Sequence, residues 1–396
     1  MKTVCFYFNL HQPNRLKKYT FFDIGKDNFY EDDQLNKEFL DKISAECYLP
    51  MNQIMMENIQ KFGKQFKFNL SLSGTLIEQM EAHRPDVLQS FIELSKTGQV
   101  EFIGQTYYHS LSYIYSPTEF ERQVKKHSEK IEEHFGHTPK VFRNTGMIYS
   151  NDLAARMEKM GFEGIMAEGI EYYLNGRSCN HLYQAPNVVT IKSLIKNYRL
   201  SGDITNRFTD TSWSEYPLTP EKYASWLAND SGECLNVFMP YETFGQHIQS
   251  DSGVFDFIRE IPQAILDKGL TFSKATEITK NLKPKDIYDI HVPMSWRDNE
   301  KDLSAWARNN MQQEALQKLY SLEKTVINSK DEDLIHVWSK LQTSDHFYYM
   351  STKAFEAGEE RDAISPYDSP YSGYIYFMNA LADLEISCKK REQVSV

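Results

Sequence analysis

Thr3-Val4-Cys5-Phe6-Tyr7-Phe8-Asn9-Leu10, with His11-Gln12-Pro13 directly behind it, sets the reading of this chain. The run is a short apolar strand, and polar residues follow its carboxyl end. The same figure returns along the sequence. Phe66–Ser73 is a strand. Val100–Gly104 is a strand followed by Gln105 and His109. Lys140–Asn144 is followed by Gly146, Gly164–Ala167 by Glu168, and Cys234–Met239 by Pro240 and Glu242. Helical stretches lie between them. Pro50–Phe62 starts on a tolerated proline and stops at Gly63; Pro117–Phe135 is a charged helix closed by Gly136. A run from Thr75 pauses at Pro85, and Asn151–Met160 and Val254–Asp267 complete the series. Strands interleaved with helices over roughly 280 residues imply a parallel α/β barrel or a doubly wound sheet. In a parallel barrel the strand carboxyl ends share one face, and that face carries the chemistry. His11, Gln105, His109, Gly146, Glu168, Pro240 and Glu242 are thereby expected around one mouth.

The pattern changes near Leu303. Helical stretches at Leu303–Ile327, Asp331–Ser344 and Gly373–Ile386 follow one another with no strand signal between them. The expected organisation is an α/β barrel domain over residues 1–300 and a helical C-terminal domain over 301–396. The segment Glu171–Trp213 is expected to hold loops.

Composition narrows the partners. The 396 residues are 41% hydrophobic, enough for a sizeable core, and the formal net charge of -11 argues against nucleic acid. Aromatic residues reach 13%, and flat rings that do not pack in a core can stack on sugars. No apolar run approaches the length of a membrane span, and the first ten residues read as a strand rather than a signal peptide. Cys5, Cys47, Cys179, Cys234 and Cys388 are scattered, with no Cys-x-x-Cys pair. Neither a disulfide framework nor a zinc knuckle is indicated, no cofactor is expected, and the cytoplasm is the simplest location.

Five ordered stretches give the chain a resemblance. His11-Gln12-Pro13, Gly104-Gln105-Thr106-Tyr107-Tyr108-His109-Ser110-Leu111, Phe142-Arg143-Asn144-Thr145-Gly146-Met147-Ile148-Tyr149, Met239-Pro240-Tyr241-Glu242-Thr243-Phe244-Gly245, and Asp302-Leu303-Ser304-Ala305-Trp306 through Gln312-Gln313-Glu314 resemble the successive signatures of α-amylase-like members of glycoside hydrolase family 57. The resemblance covers essentially the whole chain. It implies an incomplete (β/α)7 TIM-like barrel followed by a helical bundle, and retaining action on α-glucans.

The departures fall at the reaction centre. In the resembled family the position of Gly146 carries the glutamate nucleophile and that of Pro240 the aspartate acid/base. Gln105 also stands where close relatives tend to have glutamate. Retaining hydrolysis needs two carboxyls about 5–5.5 Å apart, one to attack and one to protonate the leaving oxygen. Glycine and proline do neither.

The remaining candidates each carry two readings. His11 and His109 bind sugar hydroxyls or are structural; as a metal pair they lack compact ligand spacing. Arg143 and Asn144 contact sugar or brace the barrel. Glu168 and Glu242 are the carboxylates left to be conscripted as replacement catalysts, or they orient neighbouring donors. Asp203 with Arg207 is a sugar contact or a structural ion pair. Trp213, Trp296 and Trp306 are candidate platforms, Trp306 the foremost. His346 reaches the cleft from the helical domain or caps the domain interface. A pocket lined by His11, Gln105, His109, Tyr149, Glu242 and Trp306 is expected to persist.

Three functions follow. The first is an α-glucan-binding or oligosaccharide-binding pseudo-glycosidase that senses glucan or partners an active protein. The second is an active hydrolase or glucanotransferase using Glu168 or Glu242. The third is a metal-dependent deacetylase-like enzyme built on His11 and His109.

Overall fold

The computed structural model describes residues 2–297, 299–353 and 365–394. Seven strands run in chain order around a barrel: β1 (Thr3–Leu10), β2 (Phe68–Leu72), β3 (Val100–Phe102), β4 (Val141–Phe142), β5 (Gly164–Ala167), β6 (Lys192–Ile195) and β7 (Cys234–Pro240). All their pairings are parallel. β1 lies between β7 and β2, with Asn9 opposite Pro240 and Leu10 opposite Leu72. β2 pairs with β3, a parallel bridge from Gly104 to Phe142 carries β3 to β4, and β4, β5 and β6 continue the ring.

Closure between β6 and β7 uses the side chain and backbone of Asn236 rather than a ladder. Asn236 Nδ2 donates to the Ile195 carbonyl at 2.9 Å, and the Asn236 carbonyl accepts from Asn197 N–H at 2.8 Å. The free edge of β6 is taken by a short antiparallel strand, Leu182–Gln184. The barrel is therefore incomplete, as the resemblance implied.

Alternation along β1 decides what faces the barrel interior. Cys5 and Tyr7 pack inside with Cys234 and Phe238 of β7, while Phe6 and Phe8 pack outward in the core shared with the surrounding helices. Burial on both faces explains why β1 reads as a continuous apolar run. Asn9 continues the inward series at the top of the strand.

Local signals set the helix limits. Pro117–Phe135 opens where Ser116 Oγ accepts from Glu119 N–H at 3.1 Å and closes on Gly136 at φ 75°, a left-handed cap that glycine adopts without strain. The expected helix Leu303–Ile327 is three helices, Ser304–Ala307, Asn310–Ser321 and Glu323–Asn328. The break comes at a reciprocal cap: Asn309 Oδ1 accepts from Gln312 N–H at 2.9 Å, and Gln312 Oε1 accepts from Asn309 N–H at 3.0 Å. The expected helix Asp331–Ser344 likewise ends at Lys340, and a new helix runs Ser344–Tyr349. Pro370–Val394 forms the last helix. The Glu171–Trp213 segment is a further correction. It holds β6, the Leu182–Gln184 strand and the helix Tyr198–Thr205. Lys192-Ser193-Leu194-Ile195 is too short and too polar at its start to show as a strand in sequence.

The C-terminal helices have their own core, in which Trp338, Phe347, Phe377 and Leu381 meet Leu16, Leu111 and Ile148. Those three belong to the segments that leave β1, β3 and β4 at their carboxyl ends. The helices therefore sit on the barrel mouth.

Candidate functional site at the barrel mouth

His11 leaves β1 and is held from two sides. Its Nδ1 bonds Ser73 Oγ at 2.7 Å, and its Nε2 meets Asp345 Oδ2 at 2.9 Å. Ser73 is also the cap of the helix Gly74–His83, accepting from Leu76 N–H, so the ring is tied to a rigid element. Asp345 comes from the first turn of Ser344–Tyr349, in the helical part of the chain. Burial alone would raise the Asp345 pKa, but the charge and hydrogen bond of His11 hold it well below the usual carboxylate range.

His109 stacks on His11, with ring centroids 4.1 Å apart and planes 19° from parallel. Its Nδ1 bonds Gln105 Oε1 at 3.2 Å, and burial together with the nearby His11 and Arg143 charges holds its pKa well below the histidine norm. The backbone is left-handed at His109 (φ 52°), Gly146 (φ 57°) and Met147 (φ 49°). Two of these are not glycine, which marks a locally strained mouth.

Gly146 is covered. A Cβ placed on it would lie 2.9 Å from Trp306 Cζ2 and nearer still to Cη2. Trp306 is 5% exposed and belongs to the helical core. The foremost expected sugar platform is thus a plug. Tyr149 is fully buried, with its hydroxyl 3.1 Å from Ser193 Oγ, and packs in the core beside Tyr288. A small open pocket of about 20 Å3 at the mouth is lined by Tyr7, Asn9, Arg143, Met147, Lys196, Phe238, Met239, Pro240 and Trp296.

The two carboxylates near the centre are engaged. Glu168 pairs with Lys196 at 3.2 Å, and that ammonium lies over Trp296. Glu242 accepts from the Tyr48 hydroxyl at 2.8 Å. Burial raises the Glu242 pKa to about 7, with the Tyr48 hydroxyl and nearby backbone N–H groups acting against it.

Arg143 is buried, and its Nε and Nη1 have no hydrogen-bond partner among the described residues. Both amide atoms of Asn144 and Nε2 of Gln105 are in the same condition. His346 is buried with its ring centroid 5.5 Å from that of Phe377, and burial lowers its pKa to about 4. Its neighbour Asp345 makes the contact with His11.

Asp203 and Arg207 pair at 3.1 Å and line a separate groove of about 420 Å3 with Trp213, Trp226, Arg199 and Asp230. The groove and the mouth cavity share no lining residue.

His11 and His109 lie face to face with three of their ring nitrogens already bonded, so they do not converge on a common ligand point. Among the described residues, ligand atoms gather within 4.8 Å only at Glu81, Glu133 and His134, where Lys130 already meets Glu81 at 2.7 Å.

A family model for glycosyl hydrolase family 57 matches residues 5–293. The chain belongs to that family. A "putative alpha-amylase" of Methanocaldococcus jannaschii is 37% identical, over 98% of this chain and 85% of that protein. A family 57 branching enzyme of Pyrococcus horikoshii superposes with a TM-score of 0.67 at 14% identity, over 96% of this chain and 88% of that one. The 4-alpha-glucanotransferase of Thermococcus litoralis gives 0.59 at 17% identity, over 91% of this chain. This chain spans only 53% of that enzyme's length. These two structural likenesses establish the barrel-plus-helices fold for the family member described here. Among the described residues no helix is long and apolar enough to cross a membrane.

Sequence reasoning missed Asp345, Ser73, Lys196 and Tyr48. Asp345 stood beside a chosen histidine; the other three carried no signal of their own, since their partners are distant in the chain.

Proposed function

We propose that this family 57 chain binds an α-glucan or related oligosaccharide and does not turn it over. The observation that carries the reading is Trp306 standing in the space a side chain at position 146 would need. Retaining hydrolysis requires an attacking carboxylate and a protonating carboxyl. Gly146 and Pro240 offer neither, and the indole stands against Gly146. The names of the relatives, an amylase, a branching enzyme and a glucanotransferase, support an α-glucan as the ligand.

The groove at Asp203 supports the binding half. Its volume of about 420 Å3 is that of a small-ligand pocket, and it sets Trp213 and Trp226 beside carboxylates and guanidinium groups able to bond hydroxyls. Such a protein serves as a glucan sensor, or as a partner of an active enzyme of glucan metabolism, in the cytoplasm.

The test is prolonged incubation with amylose and maltoheptaose followed by product chromatography, with calorimetric binding in parallel. Binding without products is the expected result. Loss of affinity by about tenfold or more in Trp213→Ala, about 1.4 kcal/mol, would assign it to the groove.

One observation favours a second reading. Glu242 lies two residues past Pro240 with a pKa of about 7, where a general acid is poised. Turnover that disappears in Glu242→Gln or Glu168→Gln would establish an active enzyme and overturn the first reading.

A further inference from the structure

The loop between β1 and the helix Asp33–Ile43, closed by an antiparallel bridge from Leu16 to Glu31, carries three rings in solvent. Phe21 is 72% exposed, Phe22 81% and Phe29 72%, and the first two touch, with centroids 5.9 Å apart. The loop is tied down from within. The Tyr19 hydroxyl lies 3.0 Å from the carbonyls of both Asp23 and Asp27. Asp383 of the last helix accepts from Gly25 N–H and from the Tyr30 hydroxyl, each at 2.6 Å. An ordered segment therefore holds apolar surface in water, which is unfavourable for an isolated chain.

The last helix extends the same face. Lys18 meets Asp368 at 3.7 Å, and Asn379 Nδ2 donates to the Tyr19 carbonyl at 3.0 Å. The segment before Phe21 thus runs alongside the turns between residues 368 and 379. Those turns carry Tyr371 and Ile375, one helical turn apart and 61% and 51% exposed. From Ser369 to Ala382 the helix has no charged residue. Four rings of about 150–250 Å2 each, exposed to this degree, offer roughly 400–700 Å2 of apolar surface. Such a patch marks an interaction site. It supplies most of the ~800 Å2 that a stable dimer takes from each partner.

Charge selects the occupant. The formal net charge of the chain is -11, so two copies repel wherever their acidic faces meet. This face is balanced: Lys17 pairs with Asp27 at 3.1 Å, Lys26 with Asp23 at 3.4 Å, and Lys18 with Asp368. It offers no field to nucleic acid, an acidic membrane or a basic protein. The Phe21 and Phe22 rings stand 79° apart, so they give successive glucose units no common plane. A second copy of the same face fits: it is equally apolar, equally neutral, and brings both signs to the rim.

We propose that this face, built from the Phe21, Phe22 and Phe29 loop with Tyr371 and Ile375 of the last helix, is the interface of an isologous homodimer. The inference goes beyond the glucan reading and stands whether or not a glucan binds.

Sedimentation velocity of the full chain, from about 1 to about 100 μM, reads the association directly. A concentration-dependent shift to twice the chain mass is expected, with no larger species, because a two-fold contact closes on itself. Phe22→Asp should raise the dissociation constant about thirtyfold or more, the effect of losing an aromatic anchor. Tyr371→Lys should act alike from the helical side. Both side chains are exposed, so neither change removes a core contact. Tyr172→Asp is the control: that ring follows β5, is 84% exposed, and should leave the dimer intact. A monomer at every concentration overturns the proposal, as does a dimer that survives both Phe22→Asp and Tyr371→Lys, or one that Tyr172→Asp dissolves equally. A monomer that pellets with amylose or with phosphatidylcholine vesicles only while Phe22 is intact would give the face to a sugar or a lipid instead.

Discussion

Trp306 and Gly146 occupy one another's space. The helical part of the chain reaches over the barrel mouth and lays an indole where a side chain at position 146 would project. Two facts from distant parts of the sequence thus fit together: a missing side chain and a bulky one that uses the room.

Substitution at Gly146 should therefore be costly whatever the new side chain. The residue is left-handed at φ 57°, and a Cβ would collide with a buried ring. Backbone strain of about 1–3 kcal/mol and overpacking of similar size should add. Gly146→Ala is expected to lose about 3 kcal/mol or more in denaturant unfolding. The added cost should fall in Gly146→Ala/Trp306→Ala relative to the sum of the single changes, because the clash is gone. Simple additivity would mean that the two residues are not in contact.

The contact between His11 and Asp345 should behave as a clasp between barrel and helices. The bond is 2.9 Å long and partly shielded from water. Charged hydrogen bonds of this kind contribute about 1.5–3 kcal/mol. A double-mutant cycle with His11→Ala and Asp345→Ala should return a coupling in that range at pH 7. The sign of its pH dependence is fixed by the lowered Asp345 pKa: the contribution is present above the ordinary carboxylate value and is lost as pH falls below it. A coupling indistinguishable from zero at neutral pH would remove the clasp.

Much of this mouth was legible in the sequence because it is built from strand ends. His11, Gln105, His109, Gly146, Glu168, Pro240 and Glu242 each follow a short apolar run, and a parallel barrel must bring such positions to one face. Trp306 was legible as belonging to the site, but its role was not. Whether an indole faces a sugar or a glycine depends on where a helix some 160 positions further along the chain settles, and periodicity carries no such information. Asp345 was hidden for the same reason. β6 was missed because four residues beginning with lysine do not announce a strand, and its barrel partner is reached through Asn236.

Buried Glu242 should make the protein less stable as pH rises toward neutrality. Its folded pKa, raised by burial, is about 7 against an ordinary 4.5. The folded state holds the proton more tightly, so its stabilising effect is complete below about pH 4.5 and is lost as pH climbs to about 7. The difference corresponds to roughly 3 kcal/mol over that window. Glu242→Gln keeps an acceptor for the Tyr48 hydroxyl and cannot ionise. It should flatten the stability profile between pH 5 and 7 and leave the acid limb unchanged. That limb includes His346, whose pKa lowered to about 4 makes stability fall as pH drops from the usual histidine range through that value. An unaltered profile in Glu242→Gln would show that another group titrates there; Glu101, also raised to about 7 by burial, is the alternative.

Restoring the reaction centre should take three changes rather than two. Gly146→Glu with Pro240→Asp would return a nucleophile and an acid in kind, and a working pair needs to stand about 5–5.5 Å apart. Arg143, Met147 and Pro240 line one cavity, which favours the two positions facing a common space. The double variant nonetheless meets Trp306 at position 146. It is expected to be destabilised and inert. Adding Trp306→Ala removes the obstruction, and faint hydrolysis of maltoheptaose should first appear in that triple variant. Gln105→Glu should raise it further, by setting a carboxylate beside His109, whose Nδ1 lies 3.2 Å from Gln105 Oε1 in the unmodified protein. A crystal structure of the triple variant decides the geometry independently of rate. Carboxyls more than ~10 Å apart, well outside the spacing of either glycosidase class, would show that Gly146 and Pro240 do not flank a former reaction centre.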